Sequence, residues 1–141
     1  MFTDGVDRFR GQYSRLSAMS PSPDMYSASD ICQRAGILVH SIFVRGTGHR
    51  SRNFWILNGG QNGLAQLADE TGGESYFLGF QNPVSLKPYL DQIQTNLNNQ
   101  YWLGFEMTPS QKSELRFVDI DTALSGVDIN AASGVLVPAA Q

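Results

Sequence analysis

Gly36-Ile-Leu-Val-His-Ser-Ile-Phe-Val44 is nearly unbroken in apolar and β-branched residues, and its texture decides the fold. A strand with one face in water alternates apolar and polar residues. A strand that runs apolar on both faces is covered twice, as in a parallel sheet with helices on each side. Towards the amino end, Ser27-Ala-Ser-Asp30 has the form of a capping box. Ala28, Ile31, Cys32 and Ala35 follow at helical spacing, and Gly36 supplies the left-handed residue that stops a helix. Helix followed by buried strand is the αβ half of a parallel unit.

Towards the carboxyl end the unit recurs. Leu64, Leu67 and Ala68 make a helical stripe, Gly72-Gly73 closes it, and Glu74-Ser-Tyr-Phe-Leu78 reads as a short aromatic strand. Asn82-Pro83 marks a turn and Ser85 supplies a cap. Leu86, Tyr89, Leu90, Ile93 and Leu97 trace one face of a third helix, whose first turn tolerates Pro88. With right-handed crossovers, residues 1 to 100 read as part of a doubly wound, Rossmann-like parallel sheet with flanking helices. Beyond residue 100 four short strand candidates, Tyr101 to Glu106, Leu115 to Asp121, Val127 to Ala131 and Val135 to Val137, are set apart by Pro109, Gly126 and Gly134. They read as a small antiparallel β extension at the C-terminus. Its register is open, because Leu115, Phe117 and Asp119 share one face while Arg116, Val118 and Ile120 share the other.

A chain of 141 residues, 41% apolar and 16% charged, has the size and composition of a single folded domain. No stretch approaches the roughly 20 apolar residues that a membrane span needs, and MFTDGVDRFRG lacks the basic head and apolar middle of a secretion signal. The single Cys32 cannot form an internal disulfide and reads as a buried structural thiol. Residues 8 to 52 carry seven Arg against Asp24 and Asp30, a local +5, whereas residues 53 to 141 balance to -6. Two halves of one fold that pair with each other produce such a split. Nucleic-acid binding is disfavoured by a pI near 5.2 without a clustered basic stripe.

Chemistry-bearing residues are sparse. The loop Arg45-Gly-Thr-Gly-His-Arg-Ser-Arg52 follows the buried strand at its carboxyl end, where open α/β sheets place their ligands. Arg45, His49, Arg50 and Arg52 are therefore candidates for binding an anion or a partner, although the loop lacks the phosphate-cradling glycine pattern and serves equally as a solvated connection. His40 reads as a hydrogen-bonded core histidine. Ser41 and Ser75 lack a nucleophile-elbow context, and no His and Cys spacing suits zinc. Tyr101, Trp102 and Phe105 have the stacking surface for a ligand, but on a β extension such rings more often fill the gap between sheet and helix.

Phe2-Thr-Asp-Gly5, the apolar strand Gly36 to Val44 and Leu64-Ala-Gln-Leu-Ala-Asp-Glu-Thr-Gly-Gly73 together resemble, in order and spacing, the second half of von Willebrand factor type A domains. Asp7-Arg-Phe-Arg-Gly11, Val44-Arg-Gly-Thr-Gly-His49, Glu70-Thr-Gly-Gly-Glu74 and Asn99-Gln-Tyr-Trp-Leu-Gly104 look most like a bacterial subgroup prominent in acidobacteria. The resemblance implies two parts: residues 1–105 as the C-terminal half of such a domain, and 106–141 as a β-strand extension packed on it. It also implies a non-enzymatic binding or adhesion module. In that family a divalent cation, usually magnesium, bridges to an acidic side chain of a protein partner, held by residues of three loops. This chain matches only the Thr-Asp-Gly loop, so Asp4 is one possible metal ligand, Thr3 its neighbour, and the site is incomplete. Asp7 reads as a solvated acid paired with Arg8 or Arg10.

The first strands of the family's sheet, the central one included, have no counterpart. The expectation is thus a fragment of a longer protein, secreted or periplasmic as its relatives are, with no membrane span and with a sheet edge open to self-association. Two other roles remain open. One is a metal-independent scaffold that docks partners through that edge. The other is a phosphate-handling enzyme using the Arg45 to Arg52 loop with Asp4.

Overall fold

The computed structural model describes residues 1–3, 23–45, 54–79, 85–108 and 110–139. In chain order these form β1 (Phe2–Thr3), α1 (Pro23–Ala35), β2 (Ser41–Phe43), α2 (Phe54–Thr71), β3 (Ser75–Phe77), α3 (Lys87–Asn98), β4 (Glu114–Phe117) and β5 (Gly134–Val137). β1, β2 and β3 make a parallel sheet in that order, and β4 pairs antiparallel with β5 in a second small sheet. The chain is therefore mixed α/β, with a small parallel sheet and a small antiparallel extension. The turn expected at Asn82-Pro83 lies outside the described residues.

α1 starts at Pro23, four residues before the expected capping box at Ser27. Proline has its φ already at the helical value and lacks the amide that a first turn leaves unpaired, so it opens the helix readily. Ser27 instead sits inside the helix, donating its hydroxyl to the Pro23 carbonyl at 3.0 Å. The inward residues also differ from expectation: Ser29 is buried and Met25, Ala28, Cys32 and Gln33 are half-buried, whereas Ile31 and Ala35 face water. The reason lies on α2. Its buried stripe is Leu57, Gly60, Leu64, Leu67, Ala68 and Thr71, with a glycine where hydropathy shows nothing, so the helix begins ten residues earlier than the stripe Leu64, Leu67 and Ala68 suggests. A Cβ on Gly63 would lie 3.4 Å from the Met25 side chain. Small residues on both helices let α1 and α2 pack closely, which offsets the roughly 1 kcal/mol that each helical glycine costs.

Both helices end alike. Gly36, at φ 64°, donates to the Gln33 carbonyl while Ile37 donates to that of Cys32; Gly72, at φ 78°, donates to Asp69 while Gly73 donates to Ala68. This paired pattern is the Schellman motif, with glycine taking the left-handed position that other residues enter at a cost.

The apolar run Gly36 to Val44 yields a strand only at Ser41–Phe43, where all three residues are buried, and Ile37 and Leu38 are exposed. The run leaves the Schellman turn before it can pair: the Val39 amide goes to the Thr71 hydroxyl at 3.1 Å. Pairing then sets in. Met1 donates its amino group to the His40 carbonyl at 2.7 Å, Ile42 donates to Met1 at 2.8 Å and Val44 to Thr3 at 2.9 Å. On one sheet face Ser41 donates to the Ser75 hydroxyl at 2.9 Å and the Phe43 and Phe77 rings lie 5.5 Å apart. Phe43 clusters there with Leu57 and Leu64 of α2. Tyr76, whose side chain alternates to the other face, meets Tyr89 of α3 edge-on with centroids 5.8 Å apart. α3 buries no residue fully; its inward positions are Leu86, Tyr89, Ile93 and Asn96, while the expected Leu90 and Leu97 are exposed. The Ser85 hydroxyl accepts from the Lys87 amide at 3.1 Å, just ahead of that helix.

The extension docks on the ends of α1 and α2. Gln33 donates its amide to the Glu70 carbonyl at 2.7 Å and to the Ser133 hydroxyl at 3.1 Å, and Val137 is buried. Of the four strand candidates beyond residue 100, Tyr101 to Glu106 and Val127 to Ala131 are not strands, and Leu115 to Asp121 contracts to Glu114–Phe117. Strand pattern without a partner edge forms no ladder. The split in charge does not translate into pairing at Arg34, which binds Asp30 on its own helix at 2.7 Å rather than the acidic half.

Two glycines separate backbone strain from lack of space. A Cβ on Gly73 would lie 2.2 Å from the Val39 carbonyl oxygen, whereas one on Gly36 would meet nothing. Gly73→Ala is expected to cost roughly 3 kcal/mol or more, since the backbone itself must move. Gly36→Ala should cost only about 1 to 2 kcal/mol, for the left-handed φ alone. Denaturant unfolding followed by circular dichroism checks this, and equal costs would contradict the packing described.

Candidate functional site

Parallel pairing brings two of the expected residues to one edge. Thr3 is in register with Phe43, so Thr3 and, two residues past Phe43, Arg45 lie at the carboxyl ends of adjacent strands. Both are half-buried. The sequence keeps them apart by more than forty residues; the β1–β2 ladder joins them. Asp4, Asp7, His49, Arg50 and Arg52 lie outside the described residues. Among the described residues no group of three or more His, Cys, Asp or Glu is placed to hold a metal ion.

The opposite, amino edge carries a polar cluster that sequence reasoning missed. Glu74 precedes β3 and its carboxylate accepts from the Tyr76 hydroxyl, from the Asn96 amide at 2.8 Å and from the Asn130 amide at 3.3 Å. Its own amide donates to His40 Nδ1 at 3.1 Å, and its carbonyl accepts from Ser41 at 2.8 Å. His40 is half-buried and hydrogen-bonded, its Nδ1 accepting from Glu74, while its Nε2 is a buried atom without a partner among the described residues. Burial pushes the Tyr76 phenol well above the ordinary tyrosine range, with the hydrogen bond to Glu74 and the Glu74 charge adding to the shift and Asn96 opposing it.

Part of this cluster has a sequence signal. Glu74 and Tyr76 are two apart and share a strand face, and Tyr89 and Asn96 are seven apart and share a helix face. Asn130 has none, because only the tertiary fold brings it near. The Glu74 carboxylate thus fastens together three segments, β3, α3 and the stretch that holds Asn130. Ser41 is likewise engaged with Ser75, and Cys32 is a free, half-buried thiol. The rings of Tyr101 and Trp102 fill no gap: they are 95% and 96% exposed.

Comparison with family models, with curated proteins and with solved structures returns no match for this chain.

The Tyr76 environment gives a pH dependence. An acid whose folded value is raised contributes stability that is fully present below the ordinary tyrosine value of about 10 and is lost as pH climbs through the folded value. One of the five tyrosines should therefore ionise late in an ultraviolet titration of tyrosinate, together with alkaline unfolding. Tyr76→Phe should remove that step, and Glu74→Gln should bring it earlier while leaving it above the others, because burial is the largest cause. Five tyrosines titrating together would refute the cluster.

Proposed function

We propose that this chain is a non-enzymatic binding module of the von Willebrand factor type A kind, whose contact surface is the carboxyl edge of the parallel sheet and whose partner is an acidic side chain of another protein. The observation that supports this reading is the β1–β2 register: Thr3 pairs with Phe43, so β1 ends at Thr3 and β2 ends two residues before Arg45 on the edge where open α/β sheets receive ligands. Further support comes from the sheet faces: Phe77 meets Phe43 on the α2 side while Tyr76 meets α3 on the other, the layering of a doubly wound fold.

Magnesium asks for an octahedron of oxygens, most of them carboxylate, carbonyl or water. At this edge the described residues include Thr3 and Arg45, each of which already has an interaction within the protein. Asp4, the ligand that the resemblance implies, lies outside the described residues; hydrogen bonds from arginine and threonine to the partner's carboxylate would carry recognition with or without a cation there.

The test is heteronuclear NMR of the chain titrated with a glutamate-rich peptide, with and without magnesium. Amide shifts should concentrate at Thr3, Val44 and Arg45, without a requirement for magnesium. Arg45→Ala should weaken binding about tenfold or more, the scale of a hydrogen bond to a charged group. A titration that leaves this edge unmoved, or turnover in a phosphoester panel that depends on Arg45, would overturn the reading.

A further inference from the structure

The amino-terminal half of α2 reads Phe54-Trp-Ile-Leu-Asn-Gly-Gly-Gln-Asn-Gly63, and both Asn-Gly pairs of the chain, Asn58-Gly59 and Asn62-Gly63, lie in it. Five of the six residues from Asn58 to Gly63 are glycine or asparagine. Each glycine lowers the helical equilibrium about fivefold against alanine and each asparagine by less, so this stretch is helical only through what it packs on. That packing is uneven along α2. From Leu64 onward Leu64, Leu67, Ala68 and Thr71 are fully buried, whereas the amino half fully buries only Leu57 and Gly60. Gly60 has no side chain, which leaves Leu57, against Phe43 and Leu64, as the one fully buried side chain of this half. The first turn also carries no acidic residue to offset the helix dipole.

Asn-Gly is the pair in which an asparagine most readily loses its own amide, because glycine has no Cβ to hinder the approach to its backbone nitrogen. The Gly59 nitrogen attacks Cγ of Asn58, a C–N bond forms, and the side-chain nitrogen leaves as ammonia with the proton that Gly59 gives up. Water then opens the five-membered imide at either carbonyl, to aspartate or to isoaspartate. Nothing but water is consumed. An intact helix forbids the first step: its amides are bonded to the carbonyls four residues back, and helical ψ holds the asparagine Cγ away from the next nitrogen. The reaction therefore requires a local opening.

We propose that Asn58 and Asn62 are sites of spontaneous deamidation, exposed by unwinding of α2 from its amino end, with Asn58 the first to react. Freeing Gly59 unseats Leu57 together with the half-buried Trp55 and Ile56. Freeing Gly63 costs in addition the burial of Gly60 and the close packing of Gly63 on Met25, whose side chain would lie 3.4 Å from a Cβ there. The order of reaction thus runs against the order of exposure, since Asn62 is exposed and Asn58 half-buried. Either product disturbs the helix. Aspartate adds a charge at the half-buried position 58, and isoaspartate adds a carbon to the main chain, which breaks the ladder beside Leu57. The inference is independent of the carboxyl-edge reading.

The experiment incubates the full chain in mildly alkaline buffer, beside a peptide of residues 54–66 as the unfolded reference, and follows each asparagine by proteolytic mapping and mass spectrometry. In the folded chain both sites should react about 10- to 1,000-fold more slowly than in the peptide, the span of a partial opening, with Asn58 keeping the smaller protection. Urea below the unfolding transition should change the Asn58 rate by less than about twofold, because a few helical residues expose little surface. Protection beyond about 1,000-fold at both sites, Asn62 less protected than Asn58, or an Asn58 rate that climbs with urea in step with global unfolding overturns the proposal. Reaction in the folded chain as fast as in the peptide overturns it as well.

Discussion

The contact on which the rest depends is the approach of Gly73 to the Val39 carbonyl, closer than any side chain permits. It sets the exit of α2 against the entry to β2. From there the other relations follow: the Thr71 hydroxyl, donating to Leu67 at 2.7 Å, accepts the Val39 amide. Glu74, the next residue, joins the β2 ladder. On the other side Gly72 leaves no room for a Cβ beside the backbone of Ala131 and Ala132, so the extension seats on the same turn. One tight turn fixes a helix, two strands and the C-terminal sheet relative to each other, because close backbone packing tolerates only one arrangement.

What could be read in the sequence follows from how local each signal is. Helix stops are local, and Gly36 and Gly72-Gly73 mark the ends of α1 and α2 where the glycines require. Helix starts proved less legible, since Ser27 mimics a cap that Pro23 makes unnecessary. Helix faces are a tertiary property: Ile31 and Leu97 belong to apolar stripes yet face water, while Gly60 and Asn96 face inward because of what lies opposite them. Strand length failed for the same reason, as an apolar run becomes ladder only where a neighbour is in reach. Asp4, His49, Arg50 and Arg52 fall outside the described residues, and of the expected site Thr3 and Arg45 lie within them.

The two ends of the parallel sheet have different chemistry. The carboxyl end gathers a hydroxyl and a guanidinium from strands distant in sequence. The amino end satisfies the Glu74 carboxylate internally with Tyr76, Asn96 and Asn130. The amino end thus holds its charge with neighbouring side chains, whereas Thr3 and Arg45 are brought to the carboxyl end by the strands that lead to them.

α3 buries no residue fully and leans on the sheet through the Tyr76–Tyr89 ring pair and the Asn96–Glu74 bond. With Leu86, Tyr89, Ile93 and Asn96 only half-buried, this helix has little apolar burial to lose on opening. A helix held this lightly is the element expected to open first, ahead of α1, α2 and the parallel strands, so its amides should lose hydrogen-exchange protection earliest.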